Sequence, residues 1–166
     1  MENYQPPANI LANRVILVTG AADGLGAAVA SACAAHGATV IISDKDEAQL
    51  EPLYDAIATQ GGPEPALLPL DLEGGDEPVF AAVEATIAHE FGRLDGLAHC
   101  AAFAPFLSRI DDYDATEWDR VLRINLRAPF LLTQACLPLL RQAQDASIVF
   151  TSDRVGRQGL AYWGAF

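Results

Sequence analysis

Residues 14–26, Arg-Val-Ile-Leu-Val-Thr-Gly-Ala-Ala-Asp-Gly-Leu-Gly, constrain the fold of this chain more than any other stretch. Val15 to Val18 form a short apolar, largely β-branched run of the kind that fills a buried parallel strand, and Thr19-Gly20 ends it without a charge. Gly24 and Gly26 follow, then Ala27 to Ala35, an alanine-rich segment without proline that predicts a helix packed closely on a sheet. Strand, glycine turn and helix together suit a diphosphate. Glycines let backbone approach a ligand, and the first turn of a helix offers unpaired N–H groups and partial positive charge.

A glycine turn alone serves many connections that bind nothing. Asp44 adds a second signal. It closes the next strand-like run, Thr39 to Ser43, and lies 18 residues after Gly26, near the spacing of about 20 at which an acid reaches a ribose 2′-hydroxyl in dinucleotide-binding units.

Composition narrows the remaining classes. The chain has 166 residues, 51% of them hydrophobic, which gives one domain room for a substantial core. Its 22 acids against 10 bases give a formal charge of -12, which opposes nucleic acid as a partner, and no basic stripe offsets it. No uncharged apolar run reaches the roughly 18 residues of a membrane span, and the first residues lack the basic and apolar regions of a signal peptide. The expectation is a cytoplasmic protein with no membrane partner. Cys33, Cys100 and Cys136 are widely spaced in apolar surroundings and read as buried thiols, and His36, His89 and His99 show no metal-ligand spacing, so no metal is expected.

The order of elements points to an α/β domain. Residues 1–12, with Pro6-Pro7, read as an extended arm, and 13–166 as the domain. Helices are predicted at about 47–60, 77–91 and 117–142, strands at 66–70, 94–99 and 146–151. Leu50, Leu53 or Tyr54, and Ile57 share one helix face; Val79, Phe80, Val83 and Ile87 share the next. In the long helix, Trp118, Val121, Leu122, Leu126, Phe130 and Leu131 supply most of the apolar face, Asp114 or Thr116 caps its start, and Pro129 and Pro138 bend or divide it. Strand and helix alternate with crossovers long enough for a doubly wound parallel sheet in three α/β/α layers.

With these motifs placed, the chain resembles the short-chain dehydrogenase/reductase family from Arg14 onward. Thr19-Gly-Ala-Ala-Asp-Gly-Leu-Gly26 matches the family's TGxxxGxG cofactor loop in full. Asp71-Leu72 matches the acid after the third strand that contacts adenine in the family. His99-Cys-Ala-Ala102 stands where the family has NNAG, with agreement at Ala101 alone. Asn125 matches the helix asparagine that assists a water-linked proton relay. The resemblance implies a Rossmann-type fold and a nicotinamide dinucleotide held by Gly20, Asp23, Gly24, Leu25, Gly26, Asp44, Lys45, Asp71, Leu72, Cys100 and Ala101. Asp44 and Asp23 oppose a 2′-phosphate and favour NAD; Lys45 pulls toward NADP, the alternative.

Family chemistry is hydride transfer between the nicotinamide and an alcohol or carbonyl substrate, with a tyrosine as acid/base, a lysine lowering its pKa and a serine polarising the substrate oxygen. The sole lysine here is Lys45, and Phe166 stands where the YxxxK tyrosine is expected. In that register the serine place falls at Asp153 or its neighbour Ser152, which with Asn125 makes the candidate catalytic pair. The family's last strands and helices lie beyond this register. The fifth strand is therefore expected as an open edge with Ile148, Phe150 and Phe130 exposed; either a second copy or partner chain covers it, or this is a shortened version of a longer protein. Three roles compete: an oxidoreductase, a dinucleotide-binding module without turnover, and an association domain. Little or no turnover is expected of the 166 residues alone.

Overall fold

A computed structural model of the chain describes residues 5–104 and 106–166. Its centre is a parallel five-stranded sheet of order β3-β2-β1-β4-β5, built from β1 (Val15–Thr19), β2 (Thr39–Ser43), β3 (Ala66–Leu67), β4 (Gly96–His99) and β5 (Ser147–Phe150). β1 lies in the middle, with Leu17 in register with Ile41 of β2 and Leu97 of β4. The chain runs outward from β1 to β3, then returns to β4 on the other side of β1. The order reverses between β1 and β4, where a doubly wound sheet opens a crevice at its carboxyl ends.

Alternation along the strands fills both faces. Ile16, Val18, Val40 and Ile42 pack under α1 (Gly24–Ala35) and α2 (Glu47–Ala58), with Leu50 and Ile57 fully buried and Leu53 and Tyr54 partly so. Leu17, Ile41 and Leu97 pack under α3 (Glu77–Phe91) and α5 (Ala128–Leu140), against Phe80, Ile87 and Leu132. Each such side chain contributes about 1.5–3 kcal/mol by leaving water. The three-layer Rossmann-type expectation holds.

Several boundaries move for physical reasons. The strand expected over 66–70 keeps two ladder residues, because Pro69 has no N–H; Leu68 and Leu70 still donate to Ile42 and Asp44 carbonyls at 3.0 and 2.8 Å. α1 begins at Gly24 rather than Ala27, so the glycine loop itself forms the first helical turn. α2 stops at Ala58, short of Gln60. The strands expected over 94–99 and 146–151 shorten to β4 and β5. The arm is not extended where it is described: residues 8–13 wind in turns, with Ile10 donating to Pro7 and Leu11 to His36, and residues 1–4 lie outside the described part.

The long helix divides into α4 (Ala115–Leu122), a π-helical turn (Arg123–Arg127) and α5. Asp114 is its cap, accepting from Glu117 N–H at 3.0 Å. The division lies just ahead of Pro129, whose ring displaces the turn before it, and the Ala128 N–H reaches back five residues to the Arg123 carbonyl. Pro138, by contrast, sits inside a continuous α5. Of the expected apolar face, Val121 and Leu131 are buried, whereas Leu126 and Phe130 are 65% and 60% exposed, and Val79 of α3 is also exposed; Leu132, Cys136, Leu139 and Leu140 complete the burial. Of the cysteines, Cys136 is buried while Cys33 and Cys100 are half-buried, and all three are free. Among the described residues, no helix is long and apolar enough to cross a membrane.

Candidate active site

The glycine loop is shaped first by the protein's own backbone. Gly20 has φ +66°, and a Cβ there would stand 2.5 Å from the Ala101 Cα, so the loop after β4 fills its missing side chain. A Cβ on Gly26 would fall 1.9 Å from the Gly20 carbonyl oxygen. These two glycines therefore serve close packing of loop on loop. Gly24, with nothing within 4 Å of its Cβ position, faces open space instead.

The start of α1 is set apart by its cap. Asp46, Asp76 and Asp114 each accept a backbone N–H at the starts of α2, α3 and α4. Asp23 begins α1 in extended conformation and accepts none. The first-turn amides of α1 thus keep their hydrogens and partial positive charge for an anion.

Beside that helix start lies a cavity of about 260 Å³, walled by the carboxyl ends of β1, β2 and β4 and the loop after β3. Of the residues assigned to a cofactor from sequence, Gly20, Asp23, Leu25, Gly26, Asp44, Lys45, Asp71, Leu72, Cys100 and Ala101 all line it; Gly24 does not. Asp44 is held across the glycine loop, its Oδ1 accepting from its neighbour Lys45 N–H at 2.8 Å and its Oδ2 facing the Ala22 N–H at 3.4 Å. Asp71 accepts from Glu73 N–H at 2.9 Å, an acid turn that fixes one oxygen and leaves the other free. The set fits a dinucleotide: free amides at the start of α1 and two carboxylates, Asp44 just after β2 and Asp71 on the loop after β3.

A second cavity of about 400 Å³ adjoins the first across Leu25, Cys100, Ala101 and Ala102. Ser152, Asn125 and Phe166 all line it, together with Phe150 and Pro129. The Ser152 hydroxyl is exposed and donates to the Asp153 carbonyl at 3.3 Å. Asp153 turns aside to cap the next turn, accepting from Val155 N–H at 3.0 Å. Asn125, in the π-helical turn, clamps Phe103 from both sides: Oδ1 accepts from its N–H and Nδ2 donates to its carbonyl, each at 2.8 Å. His99 closes β4 beneath this cavity, stacked on Phe150 with ring centroids 4.6 Å apart and Nε2 2.9 Å from the Thr133 hydroxyl. Burial lowers its pKa to about 4, so the imidazole is neutral.

Residues 14–166 match the sequence model of the short chain dehydrogenases. The chain belongs to the short-chain dehydrogenase family. This short-chain dehydrogenase is 39% identical over 164 residues to the uncharacterized oxidoreductase YciK of Escherichia coli K12, covering 99% of this chain and 65% of that protein. A structure of a short chain dehydrogenase candidate from Pseudomonas syringae superposes with TM-score 0.96 at 44% identity, over 99% of this chain and 68% of that one. A short chain dehydrogenase from Escherichia coli CFT073, solved with NADPH, superposes with TM-score 0.93 at 39% identity, over 96% of this chain and 67% of that one. This chain spans about two thirds of the length of these three proteins and about half or less of several other curated relatives that it matches, among them 50% of the human dehydrogenase/reductase SDR family member 4.

Sequence reasoning missed Phe103, Glu73 and Arg120, which also line the first cavity. None carries a local signal. The three come from two loops and a helix that only folding brings together.

Proposed function

We propose that this chain supplies the cofactor-binding part of a nicotinamide-dependent oxidoreductase that interconverts an alcohol and a carbonyl. The observation carrying it is the joined pair of cavities, with free helix amides and Asp44 on one and the Ser152 hydroxyl on the other. The first-turn amides of α1 would hold the diphosphate. Asp44 would accept from the ribose hydroxyls of the adenosine, and the free Asp71 oxygen from the adenine amine. When bound, the cofactor supplies a hydride donor or acceptor. Ser152 would turn its single hydroxyl proton from the Asp153 carbonyl to the substrate oxygen. By resemblance Asn125 would assist a water-linked proton relay, while its side chain fixes Phe103 through both backbone groups.

A second reading, a dinucleotide-binding module without turnover, is favoured by Phe166. It lines the second cavity where the family tyrosine is expected, and its ring has no proton to give or take. We infer slow or absent turnover by the 166 residues alone. For the cofactor, the Asp44 carboxylate opposes a 2′-phosphate by charge and favours NAD, although the relative from Escherichia coli CFT073 was solved with NADPH.

Calorimetric titration with NAD and NADP, run beside hydride transfer on a panel of alcohols, tests both readings. NAD binding with turnover supports the oxidoreductase, and binding without turnover supports the module. Asp44→Ala is expected to weaken NAD about tenfold and to narrow its lead over NADP. Tighter binding of NADP by the unaltered chain would overturn the NAD assignment.

A further inference from the structure

Arg120 is a charged residue on α4 that crosses from the helix to two loops of the first cavity. Its Nε lies 2.9 Å from Glu73 Oε1 on the loop after β3. Its guanidinium carbon stands 4.2 Å from the centre of the Phe103 ring on the loop after β4. Phe103 is the residue that Asn125 clamps through its backbone, so the ring stands on a held loop. Arg127, two turns further on, reaches the same β3 loop at the Gly75 carbonyl, 3.5 Å away. Glu117, at 3.7 Å, and Glu73 put carboxylates beside Arg120, and Asp71 belongs to the same loop.

We propose that Arg120 is a cofactor-positioning residue: by joining Glu73 to Phe103 it holds the Asp71 loop ready for the adenosine half of a dinucleotide, and its charge offsets the acids around that half. The proposal rests on the first cavity being a dinucleotide site. Two physical effects act together. A loop already held in place loses no further freedom when the ligand arrives. A guanidinium among carboxylates also lowers the repulsion that a doubly charged diphosphate meets, an effect that salt screens. Arg120 and Glu73 are about one third exposed, at 34% and 39%. The pair is therefore weaker than a buried one, and with the stacked ring it amounts to about fivefold in affinity.

The test is calorimetric titration of the whole chain with NAD and with AMP, at low and high salt, for the unaltered protein, Arg120→Ala and Arg120→Lys. Arg120→Ala is expected to weaken both ligands about fivefold at low salt and less at high salt. Arg120→Lys keeps the charge without the planar fork and is expected to recover part of the loss. Arg120→Gln, which keeps most of the side chain's length, replaces alanine should α4 loosen. Unchanged affinity in Arg120→Ala, or an equal and salt-independent loss in Arg120→Ala and Arg120→Lys, overturns the assignment. Failure of the unaltered chain to bind either ligand overturns the dinucleotide site itself, and this proposal with it.

Discussion

At the scale of single residues, His99 shows how burial converts a side chain into a pH-dependent contribution to stability. Its folded pKa of about 4 lies below the value of about 6.5 expected in the unfolded chain. Between those values the unfolded state binds a proton that the folded state refuses. Stability therefore rises with pH through this window and is lost as pH falls from about 6.5 toward 4. At pH 5 the loss amounts to about 2 kcal/mol. Urea unfolding followed from neutral pH to pH 5 should show the midpoint falling more steeply in the unaltered chain than in His99→Gln.

The glycines divide at this scale as well. TGxxxGxG is legible as a motif, yet the roles within it are not. Gly20 and Gly26 are small because backbone of the same protein lies where their side chains would be, while Gly24 borders open space. A string of letters cannot distinguish room made for a ligand from room filled by a neighbouring loop.

Among elements, the end of the sheet opposite the site is tied by Asp95, just before β4. Its side chain, 3% exposed, accepts from the Val15 N–H of β1 at 2.9 Å and pairs with Arg93 at 2.6 Å. Burial works against its charge, but the hydrogen bonds from Arg93 and Val15, with the charges of Arg93 and Arg14, outweigh it and hold the carboxyl below its usual range. This contribution is complete above the ordinary carboxylate pKa and is lost as pH falls through the lowered one. Asp95→Ala leaves the Val15 amide unpaired and should cost about 2–3 kcal/mol, read as a lower urea midpoint with an unchanged slope.

The π-helical turn is the element that sequence reasoning described least well. Pro129 announces a disturbance, but whether it bends, divides or widens the helix depends on what packs around it, and Pro138 disturbs nothing visible in α5. The outcome here sets Asn125 against Phe103. Asn125→Ala removes both hydrogen bonds of that clamp, and hydrogen exchange at the Phe103 amide should speed by about tenfold or more.

At the scale of the whole molecule, the sheet ends at β5, whose outer side is unpaired among the described residues. Val149 and Phe150 are 55% and 57% exposed, and Phe130 of α5 is exposed as well, while Ile148, expected open, is half-buried against the core. An unpaired apolar edge invites association. The 166-residue chain should therefore self-associate with rising concentration in light scattering, and Val149→Lys should reduce that association while changing the unfolding free energy by no more than about 0.5 kcal/mol.

Local chemistry determined the parts that were legible in advance: apolar runs of strand period, an alanine-rich helix, aspartates at helix starts, and an acid 18 residues beyond the glycine loop. Each depends on neighbours in the chain, so the letters suffice. The tertiary structure alone decided that Asn125 grips Phe103, that Arg120 spans two loops, and that Ser152 and Phe166 share a cavity with Asn125. Those groups lie far apart in sequence. They meet because a parallel sheet gathers the carboxyl ends of its strands along one edge, and no local periodicity records which side chains that gathering brings into contact.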